Sequence, residues 1–398
     1  MIIPEMIFWL CGFGLFHTYM FYPIILRFLA AGKQNNAVQY TPEDAWPLVS
    51  VIMSLYNEEH VIKDKLDCLL ALNYPKDRIR FFIGSDCSED QTNEVVSAYA
   101  KQHPQIHFYP FSQRRGKPGV INELSDIALA SNTSGAEHIF VVTDANVMPQ
   151  EDTFLHLMKH FKNEEIIIVD SNMIHVGMQK EGISKSEDRY ISGEVMMKHR
   201  EGIVWGKMIG PFGGCYAIRS EFFSKVPSNF LVDDFYIAMK VFERGGKAIN
   251  DLDAVCLENV SHEIHEEFRR KARISAGNFQ NLFTFTRLWF PSFRAVNFAF
   301  FSHKVLRWLG PLLMIGMLVT NCVLLFTAQW FYQWTMLALF TFIFVVPALD
   351  RLLQSFGQNN FLFRSIRYFV VMNWALLKGF IRFLKGIQTN IWQPPKRS

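Results

Sequence analysis

The sequence has little charge and no paired cysteine motif. Charged residues make up 19% of the chain, whereas soluble domains average about 25%. Lysine and arginine (40) nearly balance aspartate and glutamate (37), so no excess of positive charge points to a nucleic-acid partner. The six cysteines are scattered, with no C-x-x-C pair and no His/Cys ligand spacing. We therefore expect no nucleic-acid partner, no zinc site and no disulfide framework.

Three long uncharged runs stand out instead, at residues 6–26, 308–327 and 330–349. A helix of about 20 residues rises about 30 Å, the thickness of a bilayer's hydrocarbon core. Buried core helices are the alternative, but uncharged runs of this length are rare in soluble cores. The first run follows Glu5 and lacks a basic start, so it is typical of an uncleaved anchor rather than a signal peptide.

The lysine and arginine residues are distributed unevenly around these runs. None precedes Arg27, none lies at residues 328–329, and a cluster follows residue 349. The positive-inside rule therefore predicts an external N-terminus, with the middle region and the tail in the cytoplasm. Basic residues interrupt residues 361–386, which predicts an amphipathic helix in the cytoplasmic interface rather than a fourth span.

These features predict a domain order. It comprises an anchor (1–31), a cytoplasmic domain (46–285), an interfacial helix region (286–307), two transmembrane helices (308–349), and a cytoplasmic interfacial helix with a tail (350–398). The polar residues 32–47 suit a linker.

The cytoplasmic domain alternates short apolar runs with helical patterns. Strands are predicted at residues 49–53, 80–84, 138–142 and 166–169, and helices at residues 58–72, 92–102 and 235–244. This alternation predicts an α/β fold with a mostly parallel central sheet, whose ligands bind at the C-terminal ends of the strands.

Polar segments follow these strands or open helices, at residues 54–59, 85–90, 115–117 and 143–146. Each alone is typical of a helix cap or a turn, but four in this order predict a binding site. Asp144 and Asn146 offer the oxygen ligands that suit Mg²⁺ or Mn²⁺ carrying a diphosphate. Lys117 places a cation where phosphate could approach.

The order of these segments resembles glycosyltransferase family 2, the inverting enzymes with a GT-A fold. The resemblance covers residues 48–277 and extends to the membrane architecture of cellulose, hyaluronan and poly-N-acetylglucosamine synthases. It implies a GT-A-like nucleotide-sugar-binding domain, a UDP-sugar donor, Mg or Mn as cofactor, and a polysaccharide or lipid acceptor. We expect an integral protein of a bacterial inner membrane, in contact with membrane lipids and with a partner subunit for export.

The same resemblance assigns roles on the donor side. Nucleotide binding falls to Tyr56, Glu58, Asp86, Lys117 and Asp144, and the place of the metal-binding D-x-D motif falls to Asp144 and Asn146.

On the acceptor side, Gly213 and Gly214 open a strand that ends in Arg219, which the resemblance places near the sugar and the acceptor. Asp233 and Asp234 stand at the family's "TED" motif, whose last Asp is the general base. Asp234 is therefore the expected base and Asp233 its competitor, because the chemistry requires a carboxylate near the attacking hydroxyl. The alternative is that the pair only caps the following helix.

Arg270 and Arg273 occupy the place of the family's "(Q/R)xxRW" motif and would offset charge on the diphosphate. A solvated or lipid-facing helix is the alternative for both arginines. Ile274 replaces the tryptophan that stacks on the acceptor sugar in processive synthases.

Three hypotheses follow. The first is a synthase that extends a β-linked polysaccharide from a UDP-sugar. The second is a transferase that adds a single sugar to a membrane lipid, which Ile274 and the small number of spans favour. The third is a catalytically silent nucleotide-sugar-binding subunit, against which Asp86, Asp144 and Asp234 argue.

Overall fold

The computed structural model describes residues 2–132, 135–176, 184–259, 264–289 and 294–387. The chain forms two compact units. The sheet unit contains Leu29–Met178, Ser192–Val260 and Ile387–Ser398, and the helical unit contains Met1–Phe28, Gln179–Ile191 and Ser261–Gly386.

The elements are numbered in chain order. The strands are β1 (Leu48–Leu55), β2 (Ile79–Asp86), β3 (Ile106–Phe111), β4 (His138–Thr143), β5 (Val147–Pro149), β6 (Ile166–Val176), β7 (Cys215–Arg219) and β8 (Lys247–Asn259). The helices are α1 (Ile2–Phe16), α2 (Tyr22–Ala30), α3 (Ile62–Leu70), α4 (Thr92–Gln102), α5 (Gly116–Ser131), α6 (Thr153–Met158), α7 (Ser184–Trp205), α8 (Asp233–Glu243), α9 (Ile264–Thr284), α10 (Thr286–Trp289), α11 (Ala295–Phe300), α12 (Leu306–Trp308), α13 (Gly310–Leu324), α14 (Trp330–Phe340), α15 (Val346–Ser355) and α16 (Phe361–Leu384).

Across the described residues, the sheet unit is built on one eight-stranded sheet with the order β3-β2-β1-β4-β7-β6-β8-β5. The strands β3, β2, β1 and β4 are parallel neighbours, and β6 is parallel to β8. In contrast, β7 is antiparallel to both β4 and β6, and β5 is antiparallel to β8. The predicted α/β fold with a mostly parallel sheet is confirmed.

The antiparallel strand β7 brings a late segment of the chain to the edge where the parallel strands end. Thr143, the last residue of β4, pairs with Cys215, the first residue of β7. Gly213 and Gly214 precede β7 directly, so they lie at the same edge as the segments that follow β1, β2 and β4. This edge is where ligands bind in open α/β sheets.

The other end of β7 carries Arg219 away from that edge. Arg219 pairs with Ile139 near the start of β4. Its guanidinium donates to the carbonyl of Ile166 at 2.9 Å and forms an ion pair with Glu137. The interpretation that placed Arg219 near the sugar and the acceptor is therefore wrong, because the strand direction puts it at the opposite edge.

The predicted strands fall inside β1, β2, β4 and β6. The helix predicted from residue 58 begins only at Ile62. The reason is contact with a distant segment, because the backbone amides of Glu58 and Glu59 donate to the side chains of Thr92 and Asp90 at 2.9 and 3.1 Å. These bonds hold the residues before α3 in a loop.

Helices cover both faces of the sheet. Alternate residues of β1, such as Val51 and Met53, are buried in one cluster with Leu66 of α3, because successive side chains of a strand point to opposite faces. On the other face Gly84 of β2 lies under α5, where an added Cβ would meet Val120 at 2.6 Å.

The polar segment that was predicted to be a linker carries neither helix nor strand over residues 31–47. It is nevertheless held by hydrogen bonds within the sheet unit. The Asn35 amide donates to the carbonyl of Asn250 at 2.6 Å, and the Tyr40 backbone amide donates to that of Lys159 at 2.8 Å.

The helical unit contains the apolar runs. Within the described residues, the helical segments long and apolar enough to cross a membrane are Ile2–Ala30, Gly310–Thr327 and Trp330–Ser355. They overlap the three spans predicted from the sequence. Large apolar side chains on them are exposed, for example Phe13 (61%) and Trp334 (62%), which suits contact with lipid rather than water.

The helix α16 is not among these candidate spans. It packs on α9, where the Ser275 hydroxyl donates to the carbonyl of Leu376 at 2.9 Å and the rings of Phe283 and Phe383 stack at 5.2 Å. Its predicted place in the cytoplasmic interface stays a prediction.

We expect Gly84→Ala to destabilise the sheet unit. The new Cβ would lie 2.6 Å from Val120 and 3.0 Å from Phe111, and overpacking of this kind costs about 1–3 kcal/mol. The thermal unfolding midpoint of the detergent-solubilised protein should fall. The control Gly193→Ala meets no atom within 4 Å and should leave the midpoint unchanged or slightly raised. Equal midpoints for the two variants would contradict the packing of α5 on β2.

Candidate active site

The loops after β1 and β2 are bound to each other. Asn57 has a left-handed backbone (φ 53°), and its side-chain oxygen accepts from the Glu89 backbone amide at 2.9 Å. The Gln91 amide donates to the Glu59 carboxylate at 3.0 Å. These bonds fix the polar ends of the two strands, next to Tyr56 and the half-buried Glu58.

Asp86, at the end of β2, is buried and holds the start of α5. Its carboxylate accepts from the backbone amides of Arg115 at 2.6 Å and Gly116 at 3.0 Å, which suits the positive end of a helix dipole. The Arg114 guanidinium donates to Asp86 at 3.2 Å and lies 3.3 Å from the centroid of the Tyr56 ring. Two predicted nucleotide-binding residues, Tyr56 and Asp86, are therefore joined by Arg114.

Lys117, in the first turn of α5, forms ion pairs with two of the predicted carboxylates. Its ammonium lies 2.8 Å from the Asp144 carboxylate and 3.6 Å from that of Asp233. Desolvation acts to lower the pKa of Lys117, but the charges of Asp144 and Asp233 outweigh it and hold the pKa above the usual lysine value. Asp144 and Asp233, which are far apart in the sequence, therefore both lie beside the ammonium of Lys117.

Asp234 sits against the glycine turn before β7. Gly213 has a φ of 79°, and an added Cβ there would lie 2.4 Å from the Asp234 carboxylate oxygen. An added Cβ on Gly214 would lie 2.7 Å from Met173 and 2.8 Å from Val147. Both glycines are therefore required, because any side chain would displace a neighbour and the left-handed backbone at Gly213 also disfavours other residues.

The environment of Asp234 perturbs its ionisation. Desolvation raises the pKa of its carboxyl, and the neighbouring charge of Asp233 raises it further, to about 7, against the opposing charge of Lys117. Such a pKa suits a group that must accept a proton near neutral pH. Asp233 and Asp234 also begin α8. The hypothesis that they start the helix and the hypothesis that they are catalytic are therefore compatible.

Asn146 is held by a residue that the sequence did not single out. Its amide nitrogen donates to the Glu258 carboxylate at 2.8 Å, and the other oxygen of Glu258 lies 3.5 Å from the His175 imidazole. This bond turns the amide nitrogen of Asn146 toward Glu258 and leaves its oxygen as the potential metal donor. No sequence spacing indicated Glu258, because β8 reaches Asn146 only in the folded sheet.

The donor set at this loop fits a cation that is shared with a diphosphate. Among the described residues, no three His, Cys, Asp or Glu side chains form a metal cluster. Asp144 and Asn146 alone would supply a carboxylate and an amide oxygen. Mg²⁺ is commonly held by one or two carboxylates together with substrate phosphates, so these residues fit Mg²⁺ or Mn²⁺ bound with a nucleotide.

Arg270 and Arg273 lie on α9 of the helical unit. The Arg270 guanidinium donates to Glu267 at 2.8 Å, and Ile274 is half-buried on the same helix. Their predicted role toward the diphosphate and the acceptor stays a prediction.

Comparisons with known proteins identify the family of the chain. Residues 50–226 match Glycosyl transferase family 2, and residues 139–349, more than half of the chain, match Glycosyl transferase family group 2. The chain belongs to glycosyltransferase family 2.

Two curated relatives illustrate the range of that family. Poly-beta-1,6-N-acetyl-D-glucosamine synthase from Staphylococcus epidermidis is 24% identical over 160 residues, which cover 37% of this chain and 36% of that protein. Beta-monoglucosyldiacylglycerol synthase from Trichormus variabilis is 29% identical over 122 residues, which cover 30% of this chain and 25% of that protein. The chain thus spans only about a quarter to a third of the length of these relatives.

A solved structure shares the fold. The mannosyltransferase PcManGT from Pyrobaculum calidifontis, in complex with GDP-Man and Mn2+, matches with a TM-score of 0.70 at 19% sequence identity. The match covers 96% of this chain and 99% of that one. Together with the family match, it confirms the expected GT-A-like fold.

The raised pKa of Asp234 predicts a pH-dependent effect on stability. The carboxyl has a pKa of about 4 in the unfolded chain and of about 7 in the folded protein. Its favourable contribution to stability is therefore fully present below about pH 4 and is lost as the pH rises through 7. We expect Asp234→Asn to raise the thermal midpoint at pH 8 and to raise it less at pH 5, measured in EDTA without nucleotide.

The control for this measurement is Asp126→Asn, which alters an exposed carboxylate paired with Lys225 and should change the midpoint little at either pH. A midpoint shift for Asp234→Asn that is the same at pH 5 and pH 8 would contradict the raised pKa.

Proposed function

We propose that the protein is an inverting, metal-dependent glycosyltransferase that moves a sugar from a UDP-sugar to a growing β-linked polysaccharide at a membrane. In this proposal the donor site faces the cytoplasm, because of the distribution of lysine and arginine around the apolar runs. The membrane is a bacterial inner membrane, as the resemblance to the membrane-bound synthases implies.

One observation carries this proposal. Asp144, Asp233 and Asp234 come from two distant parts of the sequence and surround the ammonium of Lys117 at the edge where β4 ends. Within this cluster the pKa of the Asp234 carboxyl is raised, and a strongly perturbed pKa in such a cluster is typical of catalytic sites. A silent binding subunit would have no need of this cluster.

In the proposed reaction, the acceptor hydroxyl attacks the anomeric carbon while the bond to the diphosphate breaks, which inverts the configuration. Asp234 takes the hydroxyl proton, and its pKa of about 7 lets it be ionised before the attack and hold the proton afterwards. Asp233 and Lys117 set the charge around it. A divalent cation held by Asp144 and Asn146 would offset the charge that develops on the leaving diphosphate.

Lipid glycosylation is the second candidate, and Ile274 favours it. The tryptophan that the processive synthases carry at this place stacks on the acceptor sugar. An isoleucine offers no flat ring for stacking, so a growing polymer would be held less well. A single transfer to a membrane lipid needs no such platform.

Turnover of a panel of radiolabelled UDP-sugars by the purified protein in detergent tests the proposal. We expect one donor to be consumed with Mg²⁺ or Mn²⁺ and the label to enter a product of high mass. A single labelled sugar on an organic-soluble lipid would support the second candidate. Donor binding without any turnover would contradict both and support the silent subunit.

Asp144→Ala should abolish this turnover, because the diphosphate loses its bridging cation, while the surface variant Asp126→Asn should keep it. Activity that survives both Asp144→Ala and EDTA would remove the metal from the proposal.

The assignment of the base rests on a comparison of two neighbours. Asp234→Asn keeps the size of the side chain but cannot take the proton, so turnover should slow by roughly 10²–10⁴-fold while UDP still binds. Asp233→Asn should be milder. An inactive Asp233→Asn with an active Asp234→Asn would move the base to Asp233, and loss of UDP affinity in both variants would mean that the pair holds the nucleotide instead.

A further inference from the structure

Lys65 occupies a place where an apolar residue is expected. The buried face of α3 consists of Ile62, Lys65, Leu66 and Leu69, the spacing of an amphipathic stripe. Lys65 is fully buried (0% exposed). Lysine is almost never fully buried unless it is paired, so this position requires an explanation that packing alone does not supply.

The side-chain amine of Lys65 spans the loop that carries Asp144 and Asn146. It donates to the hydroxyl of Thr143 at 2.8 Å and to the backbone carbonyl of Val147. These two acceptors are the residues immediately before and after the Asp144–Asn146 segment. Lys65 is therefore hydrogen-bonded to both ends of this segment from the protein interior.

The same network reaches the glycine turn. The Thr143 hydroxyl donates to the carbonyl of Gly214 at 2.9 Å, and the backbone amide of Asp144 donates to that same carbonyl at 2.9 Å. Gly213, the next residue back, is the one that closely approaches Asp234. The buried amine of Lys65 is thus linked, through Thr143 at the end of β4, to the Asp144–Asn146 segment and to the glycine turn at Gly213 and Gly214.

We propose that Lys65 is a positioning residue that sets the geometry in which Asp144 and Asn146 meet the divalent cation and the donor diphosphate. The inference rests on the proposed function. Lys65 touches no substrate, because its side chain is fully buried, and it acts through Thr143 and Val147.

A purely structural role for Lys65 would appear only as a loss of stability. Lys65→Met would leave the carbonyl of Val147 without this donor, and an unsatisfied buried acceptor costs about 1–3 kcal/mol. Residues that orient metal ligands, by contrast, typically alter metal affinity by about 10–100-fold. The two explanations therefore predict different results for the same substitution.

Lys65→Met tests the proposal, with Lys63→Met as its matched control. Lys63 lies on the same helix with its side chain 68% exposed, and it pairs with Asp67 at the surface. The measurements are the affinity for UDP with Mn²⁺, the affinity for UDP in EDTA, kcat and KM, and the unfolding midpoint.

We expect Lys65→Met to lose about 10–100-fold of the gain in UDP affinity that Mn²⁺ provides, while the UDP affinity in EDTA stays unchanged. We also expect kcat to fall by a larger factor than the factor by which KM changes. Lys63→Met should match the wild type in all of these. Unchanged Mn²⁺-dependent affinity and kcat in Lys65→Met, whatever its midpoint, would overturn the proposal and leave a structural lysine.

Two further measurements keep the test decisive. If Lys65→Met does not fold, Thr143→Val removes one acceptor while keeping the branched shape, and it should show the same pattern more weakly; wild-type behaviour would overturn the proposal. If the wild type shows no Mn²⁺-dependent UDP binding, the proposed function fails on its own. Amide hydrogen exchange at residues 143–147 then decides for Lys65, because unchanged protection in Lys65→Met would overturn its positioning role.

Discussion

The candidate site depends on one electrostatic arrangement, the ammonium of Lys117 among the carboxylates of Asp144, Asp233 and Asp234. Without that cation, the negative charges of these carboxylates at one sheet edge would repel each other. With it, the carboxylates are held close enough together for their proposed roles toward the diphosphate and the acceptor hydroxyl. Desolvation, and then the charge of Asp233, still raise the pKa of the Asp234 carboxyl, and a raised pKa is the property that the proposed base requires.

Backbone geometry supports that arrangement. The reversal of β7 relative to β4 delivers Gly213 and Gly214 to the edge where Asp144 lies. The absence of a side chain at Gly213 lets Asp234 approach the main chain closely. Beneath the loop, Lys65 binds both of its ends. The segment 143–147 is therefore held by the ion pair of Asp144 with Lys117, by its contact with the glycine turn before β7, and by the hydrogen bonds of Lys65.

The two relatives share sequence similarity with this chain and differ in the products they are named for. One is named for a polysaccharide and another for a glycolipid, and the chain aligns with only a part of each. The proposed donor half of the site, with Asp86 and Asp144, is compatible with either product. Ile274, on the helical unit, is the residue at which the sequence departs from the expected processive pattern, so the proposed choice between the two acceptors rests on this position.

The sequence by itself determined the elements with strong local signals. Uncharged runs predicted the three apolar helical segments, and apolar alternation predicted β1, β2, β4 and β6, because length and periodicity are properties of neighbouring residues. Motif order placed Asp144, Asp233 and Asp234 in one site. Only the tertiary structure decided how those residues meet. Strand order and contacts between distant segments, which no local pattern encodes, decided four features. These are the pairing of the carboxylates with Lys117, the contact of Glu258 with Asn146, the antiparallel direction of the strand that ends in Arg219, and the burial of Lys65.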